Sequence, residues 1–200
     1  NNDFSILDIG TGTGLIALML AQKTPTETID AIEIEEDAYE QAVENFENSP
    51  WADRLFCYHA SLLEFADEMD EQYDLIVSNP PFFEETQSSM HPKRKQARFT
   101  SSLPFTHLFA SVAKLLSPKG RFTMIAPFKE EENLLAIAKK HHLYPKKICR
   151  VQGNQQSKIK RSLFEFSFRK TDTKFDTLTL ETARHKRTTA YENLVSDFYL

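Results

Sequence analysis

The chain has 200 residues, of which 40% are hydrophobic and 26% charged, the composition of an ordinary folded globular domain. No apolar run approaches the roughly 18 residues of a membrane span, and no signal-peptide pattern opens the chain. The two cysteines, Cys57 and Cys149, sit in apolar contexts that suit reduced core thiols rather than a disulfide or a metal pair. The net charge of −5 conceals an asymmetry. Residues 1–83 carry 2 basic and 18 acidic side chains, and residues 84–200 carry the other 22 basic and 11 acidic. A basic second half points to a polyanion partner.

The predicted elements alternate. Phe4 to Ile9 reads as a strand that ends in the turn Gly10-Thr11-Gly12-Thr13-Gly14, followed by a helix from Leu15 to Lys23. Thr28 to Ile34 is a second apolar strand, and Glu35 to Asn48 a helix with Ala38, Tyr39, Ala42, Val43 and Phe46 on one side. Arg54 to His59 is a short strand, Leu62 to Met69 a short helix, and Tyr73 to Ser78 a fourth strand. Phe83 to Pro104 lacks periodicity and reads as a long surface loop, a kind that is usually functional in a compact domain.

Helical spacing returns from Phe105 to Leu116 and stops at Ser117-Pro118-Lys119-Gly120. Arg121 to Ala126 is a strand, Glu130 to His142 a helix, and Lys146 to Gln152 a strand. After the polar tract from Gly153 to Lys160, Leu163 to Phe168 alternates as a strand. Thr177 to Thr182 is extended, and Thr189 to Phe198 a helix. Alternating strands and helices predict a single α/β domain, residues 1–200, with a doubly wound, mainly parallel sheet. Only Asn1-Asn2-Asp3 precede the first strand, and no Met opens the sequence, so a preceding segment is expected.

Two places carry chemistry. At the first, Asp8 precedes a G-x-G-x-G turn rather than the dinucleotide pattern G-x-G-x-x-G. A carboxylate there repels a pyrophosphate and suits a cationic amino-acid moiety. Glu33, at the end of the second strand, is placed to accept hydrogen bonds from ribose hydroxyls. Glu35 is its competitor on the same face, but the strand end favours Glu33. These features point to S-adenosylmethionine, held by Asp8, Gly10, Thr11, Gly12, Gly14 and Glu33. The second place is Asn79-Pro80-Pro81-Phe82, directly after the fourth strand. Adjacent prolines cannot continue a ladder. The resulting turn offers an amide, free carbonyls and an aromatic face to a planar group bearing NH2.

In this combination the chain resembles class I S-adenosylmethionine-dependent methyltransferases of the amino-methylating group, marked by [DNS]-P-P-[YFW] after the fourth strand. The resemblance implies a Rossmann-like, seven-stranded sheet with an antiparallel strand near the C-terminus. It implies that Asn79 and Pro80 accept hydrogen bonds from the target amine, that Phe82 stacks on the substrate, and that Asn79 also borders the cofactor. Ser61 stands where many relatives bind the cofactor's adenine amine with an acidic residue.

A narrower likeness is to bacterial tRNA (adenine-N6)-methyltransferases that act on adenosine 37 of a valine tRNA. It rests on Leu18-Met19-Leu20-Ala21-Gln22, Asn48-Ser49-Pro50-Trp51-Ala52, Ser78-Asn79-Pro80-Pro81-Phe82-Phe83, the loop pattern from Pro92 through Arg94, Ala97 and Arg98 to Thr100, and the final Asp197-Phe198-Tyr199-Leu200. An RNA substrate gives the basic clusters a use: Lys93, Arg94, Lys95 and Arg98 beside the turn, then Lys158, Lys160 and Arg161, then Arg184, Lys186 and Arg187. The turn alone does not choose among adenine N6, guanine N2 of ribosomal RNA and a glutamine amide of a protein. A non-catalytic cofactor- or RNA-binding module is the other class of reading. No metal is expected, because His91 and the His141-His142 pair lack spaced ligand partners. A cytoplasmic monomer completes the expectation.

Overall fold

A computed structural model of the chain describes residues 4–81 and 104–198. Phe82 and the basic loop residues Lys93, Arg94, Lys95 and Arg98 lie outside the described residues.

The amino-terminal half follows the expected alternation. Strand β1 (Ser5–Ile9) leads through the glycine turn to α1 (Leu15–Lys23), then β2 (Thr28–Glu33), α2 (Glu36–Glu47), β3 (Leu55–His59), α3 (Leu62–Glu68) and β4 (Tyr73–Ser78). From residue 105 onward come α4 (Phe105–Leu115), β5 (Leu116–Pro127), α5 (Glu131–Lys140), β6 (Tyr144–Gln152) and β7 (Ile159–Ser167). The chain continues through β8 (Lys174–Thr179), β9 (Glu181–Ala183), β10 (Lys186–Arg187) and α6 (Thr189–Val195).

The main sheet has the order β3-β2-β1-β4-β5-β7-β6-β8. Strands β1 to β5 pair in parallel, and β7 is antiparallel to both of its neighbours. The sheet therefore has eight strands, not the expected seven. The extra one, β8, runs parallel to β6 at the edge. Its residues from Lys174 to Asp176 are exposed, so it carries no apolar signal of a buried strand. The segment expected to be extended from Thr177 to Thr182 splits between β8 and β9, and β9 pairs with β10 in a separate hairpin. The stop at Ser117-Pro118-Lys119-Gly120 is a bulge within β5: Tyr73 pairs with Leu116, and Leu75 with Arg121. Gly120 is required there, since an added Cβ would lie 2.9 Å from the Tyr73 carbonyl oxygen.

Each face of the sheet buries its own core. On one, Leu7, Ile9, Ile32, Ile76, Phe122 and Phe166 pack with residues of α3, α4 and α5. Phe109 of α4 meets Phe122 and Phe166 edge-on, with ring centroids 5.6 and 5.3 Å away, the arrangement favoured by ring quadrupoles. On the other face, Ile6, Ile29, Ala31, Leu75 and Val77 pack with Ala17, Ala21 and Phe46 of α1 and α2. The small residues of α1 let it lie close to the sheet, which brings its amino terminus to the glycine turn.

A polar pair interrupts the first core. The buried Tyr73 donates a 2.6 Å hydrogen bond to Asp30 Oδ2, while Asp30 Oδ1 has no partner among the described residues. Burial raises the Asp30 pKa, and the tyrosine hydroxyl lowers it. Tyr73→Phe leaves this carboxyl without that donor, at a cost of about 1–3 kcal/mol. Urea denaturation should show that loss with an unchanged slope, and a midpoint equal to that of the parent would contradict it.

Candidate active site

The glycine turn is built from β1, β2 and α1. The N–H groups of Gly10 and Thr11 both donate to the Ile32 carbonyl, at 3.0 and 3.1 Å, which binds the end of β1 to the end of β2. Gly10, Gly12 and Gly14 have φ of 68°, 60° and 85°, a region costly for residues with a Cβ. Two different needs are met here. A Cβ on Gly14 would lie 2.4 Å from the Phe46 ring, so this glycine lets α1 approach α2. A Cβ on Gly10 or Gly12 meets nothing within 4 Å. Their bare backbone faces open space at the strand ends, where a ligand can approach it closely.

Glu33 secures the turn. Its Oε2 accepts the Gly12 N–H at 2.8 Å, and its Oε1 accepts the N–H groups of Ile34 and Glu35 at 2.8 and 3.0 Å. A carboxylate has about four acceptor positions, so about one remains for an incoming hydroxyl. Glu35, the other candidate, is exposed and stands at the N-cap of α2.

Asp8 is fully buried beneath the turn. Its Oδ2 accepts the Thr11 hydroxyl at 2.6 Å, and its Oδ1 has no partner among the described residues. Burial pushes its pKa up to about 6, against the lowering effect of the Thr11 hydroxyl. A buried carboxylate with one free oxygen is suited to a cation. Its own partial burial, with the charges of Glu33 and Asp8, pushes the Cys57 thiol up to about 12, which disfavours the thiolate.

At the end of β4 the buried Ser78 donates to the Ile9 carbonyl at 3.1 Å, which locks that strand end to β1. Asn79 follows, exposed, then Pro80, buried, and Pro81, exposed. A groove of about 760 Å³ opens beside Asn79 and runs over Thr123, Ile125, Leu163 and Cys149 toward Leu194 of α6. The cofactor candidates and Asn79-Pro80 thus share the carboxyl edge of three adjacent parallel strands, where open α/β sheets bind ligands.

Ser61 is engaged locally. It caps α3: its hydroxyl donates to Glu64 Oε2 at 2.7 Å and accepts the Glu64 N–H, and the Ser61 N–H returns to the same carboxylate. The S-x-x-E spacing of this capping box was visible in the sequence. The second basic cluster also lies at the carboxyl edge. Arg161 pairs with Pro127 at the end of β5 and Val151 near the end of β6, and Lys158 and Lys160 are exposed beside it. The third, Arg184 with Lys186 and Arg187, sits on the β9–β10 hairpin. That hairpin follows β8, where the Glu181 N–H donates to the Gly153 carbonyl at 2.8 Å.

Residues 1–156 match the family model described as the methyltransferase small domain. The chain belongs to this methyltransferase family. Two similar relatives carry the name tRNA1(Val) (adenine(37)-N6)-methyltransferase. One, from Christiangramia forsetii, is 57% identical over 98% of this chain and 82% of its own length. The other, from Flavobacterium johnsoniae, is 54% identical over 100% of this chain and 86% of its own. A solved structure of a predicted O-methyltransferase from Agrobacterium tumefaciens shares the fold, with a TM-score of 0.73 at 15% identity over 96% of this chain and 88% of that one.

Two outcomes follow for Asp8. In the folded state it holds a proton from pH 4 to about 6 that the unfolded chain has lost, so its contribution to stability falls as pH rises through that window. Thr11→Val removes the hydroxyl that favours the carboxylate, which moves the pKa above its parent value of about 6. Carbon-detected NMR titration of the side chain reads this directly, and an unshifted midpoint would refute the assigned contact.

Proposed function

We propose that this protein transfers a methyl group from S-adenosylmethionine to the N6 amine of an adenosine in tRNA, adenosine 37 of a valine tRNA. The observation that carries the reading is one edge of the sheet bearing both a buried carboxylate with a free oxygen, Asp8, and an exposed amide followed by a proline turn, Asn79-Pro80. Relatives above 50% identity bear the name of that reaction. The basic residues at the same edge fit an RNA substrate better than a protein one.

When bound, S-adenosylmethionine supplies an activated methyl group on a good leaving group, so positioning and electrostatics can provide most of the catalysis. Asp8 would hold the cationic amino-acid end, Gly10 and Gly12 would admit it to the backbone, and the remaining acceptor position of Glu33 would take a ribose hydroxyl. On the acceptor side, the Asn79 side-chain oxygen and the Pro80 carbonyl hold the two hydrogens of the adenine amine. That draws the nitrogen away from conjugation with the ring and makes its lone pair available to the methyl carbon. Phe82 stacks on the base. The base reaches this pocket only after leaving its stack in the anticodon loop. The amide of Asn79 is no base, and the proton released from the methylated amine passes to water.

Methylation of a valine tRNA transcript, followed by nucleoside mass spectrometry, should show N6-methyladenosine that disappears when adenosine 37 is replaced by guanosine. Methylation of a release factor in its place would sink the reading. Asn79→Ala should lower turnover on the order of 10²-fold while calorimetric cofactor affinity changes little; unaltered turnover would remove the amide from the mechanism. Cofactor affinity of the parent should fall as pH drops below about 6, where Asp8 is protonated and loses its attraction for a cation.

A further inference from the structure

An exposed aromatic cluster lies away from Asn79-Pro80 and is built from three separate elements. Arg150 of β6 places its guanidinium carbon 5.4 Å from the ring centroid of Phe128, just after β5, and 5.4 Å from that of Phe175 on β8. Phe128 and Phe175 are 37% and 63% exposed as residues, and the arginine side chain 35%. The guanidinium is fixed. It donates to Glu131 at 2.7 Å, and Ser162 donates to the same carboxylate at 2.7 Å. The ion pair with Glu131 leaves the cluster without net charge, so what it adds to the basic edge is a planar surface with two exposed aromatic residues.

Its position is set by the sheet register. Ser78, at the end of β4, pairs with Met124, Met124 with Phe164, Phe164 with Ile148, and Ile148 with Phe175. Arg150, two residues past Ile148, is level with Pro80, three strand spacings away, about 14 Å. Just beyond it on the neighbouring strand stand Lys158, Lys160 and Arg161.

We propose that Phe128, Arg150 and Phe175 form a stacking platform for an unpaired base of the substrate RNA, a few nucleotides from the methylated adenosine. This rests on the tRNA reading above. Single-stranded loops are recognised by splaying bases onto aromatic rings and arginine planes. Here Lys158, Lys160 and Arg161 lie alongside to meet phosphates, while the arginine of the platform is already ion-paired with Glu131. The stack holds the anticodon loop at a second point, so that the target base enters the Asn79 turn in a fixed orientation.

The two roles separate by their salt dependence. Replacing a lysine that binds a phosphate lowers both affinity and its salt slope, whereas loss of a stacked base lowers affinity alone. Phe175→Leu keeps an apolar cover over Arg150 but removes the ring. It should weaken tRNA binding about tenfold, the scale of one stacked base, with the salt slope, melting temperature and cofactor affinity unchanged. Phe175→Trp should restore binding. Parental affinity in Phe175→Leu, a salt slope that falls with the affinity, or a Trp variant as weak as the Leu variant would each overturn the platform. A parent protein that methylates no tRNA would sink the underlying function instead, and does so before any variant is made.

Discussion

The whole site depends on the grip of one carboxylate. Glu33 takes N–H groups from Gly12, Ile34 and Glu35, and so joins the end of β2, the start of α2 and the middle of the glycine turn. Residues with positive φ do not hold a loop in one shape by themselves, since glycine gives up more conformational freedom on ordering than any other residue. The bonds of Gly10 and Thr11 to the Ile32 carbonyl fix the entrance of the turn, and Glu33 fixes its centre. With the turn fixed, Asp8 stays covered and keeps one carboxylate oxygen unsatisfied, an arrangement that costs stability and favours a cation. The Ser78 bond to Ile9 then carries this order across to β4 and the Asn79 turn.

Charge is divided along the chain as the chemistry divides along the edge. The acidic amino-terminal half supplies the buried carboxylates Asp8 and Glu33 at the ends of β1 and β2, and the basic second half supplies cations at the ends of β6 and β7. The antiparallel β7 makes this possible. Its reversal brings its own first residues, Lys160 and Arg161, to the edge where the parallel strands finish. A seventh strand in the parallel sense would have carried them to the opposite edge.

Much of this was legible in the sequence because buried parallel strands read as apolar runs and the turns between them are spelled by glycine and proline. The site positions Asp8, Gly10, Gly12 and Asn79 stand at strand ends, and strand ends were visible. Strand β8 was legible only at its end, Thr177 to Thr179, since its exposed first residues carry no core pattern. The bulge at Ser117-Gly120 imitated a chain stop, because only the tertiary packing shows that Gly120 fits against the Tyr73 carbonyl. The Ser61 hydroxyl serves as a helix cap, a local signal that its S-x-x-E spacing carried. The triple grip of Glu33 and the Asp30–Tyr73 pair need partners from distant elements, and no spacing in the sequence announces them. The cluster around Arg150 is of the same kind, assembled only when β8 adds to the sheet.

The most direct test of this account is calorimetric titration of S-adenosylmethionine into Glu33→Ala, with circular dichroism to confirm that the sheet is retained. Release of the three amides should loosen the turn and weaken binding by well over about tenfold, the loss of more than one charge-assisted hydrogen bond. A variant that keeps its fold and binds the cofactor as tightly as the parent would contradict the claim that this carboxylate organises the site.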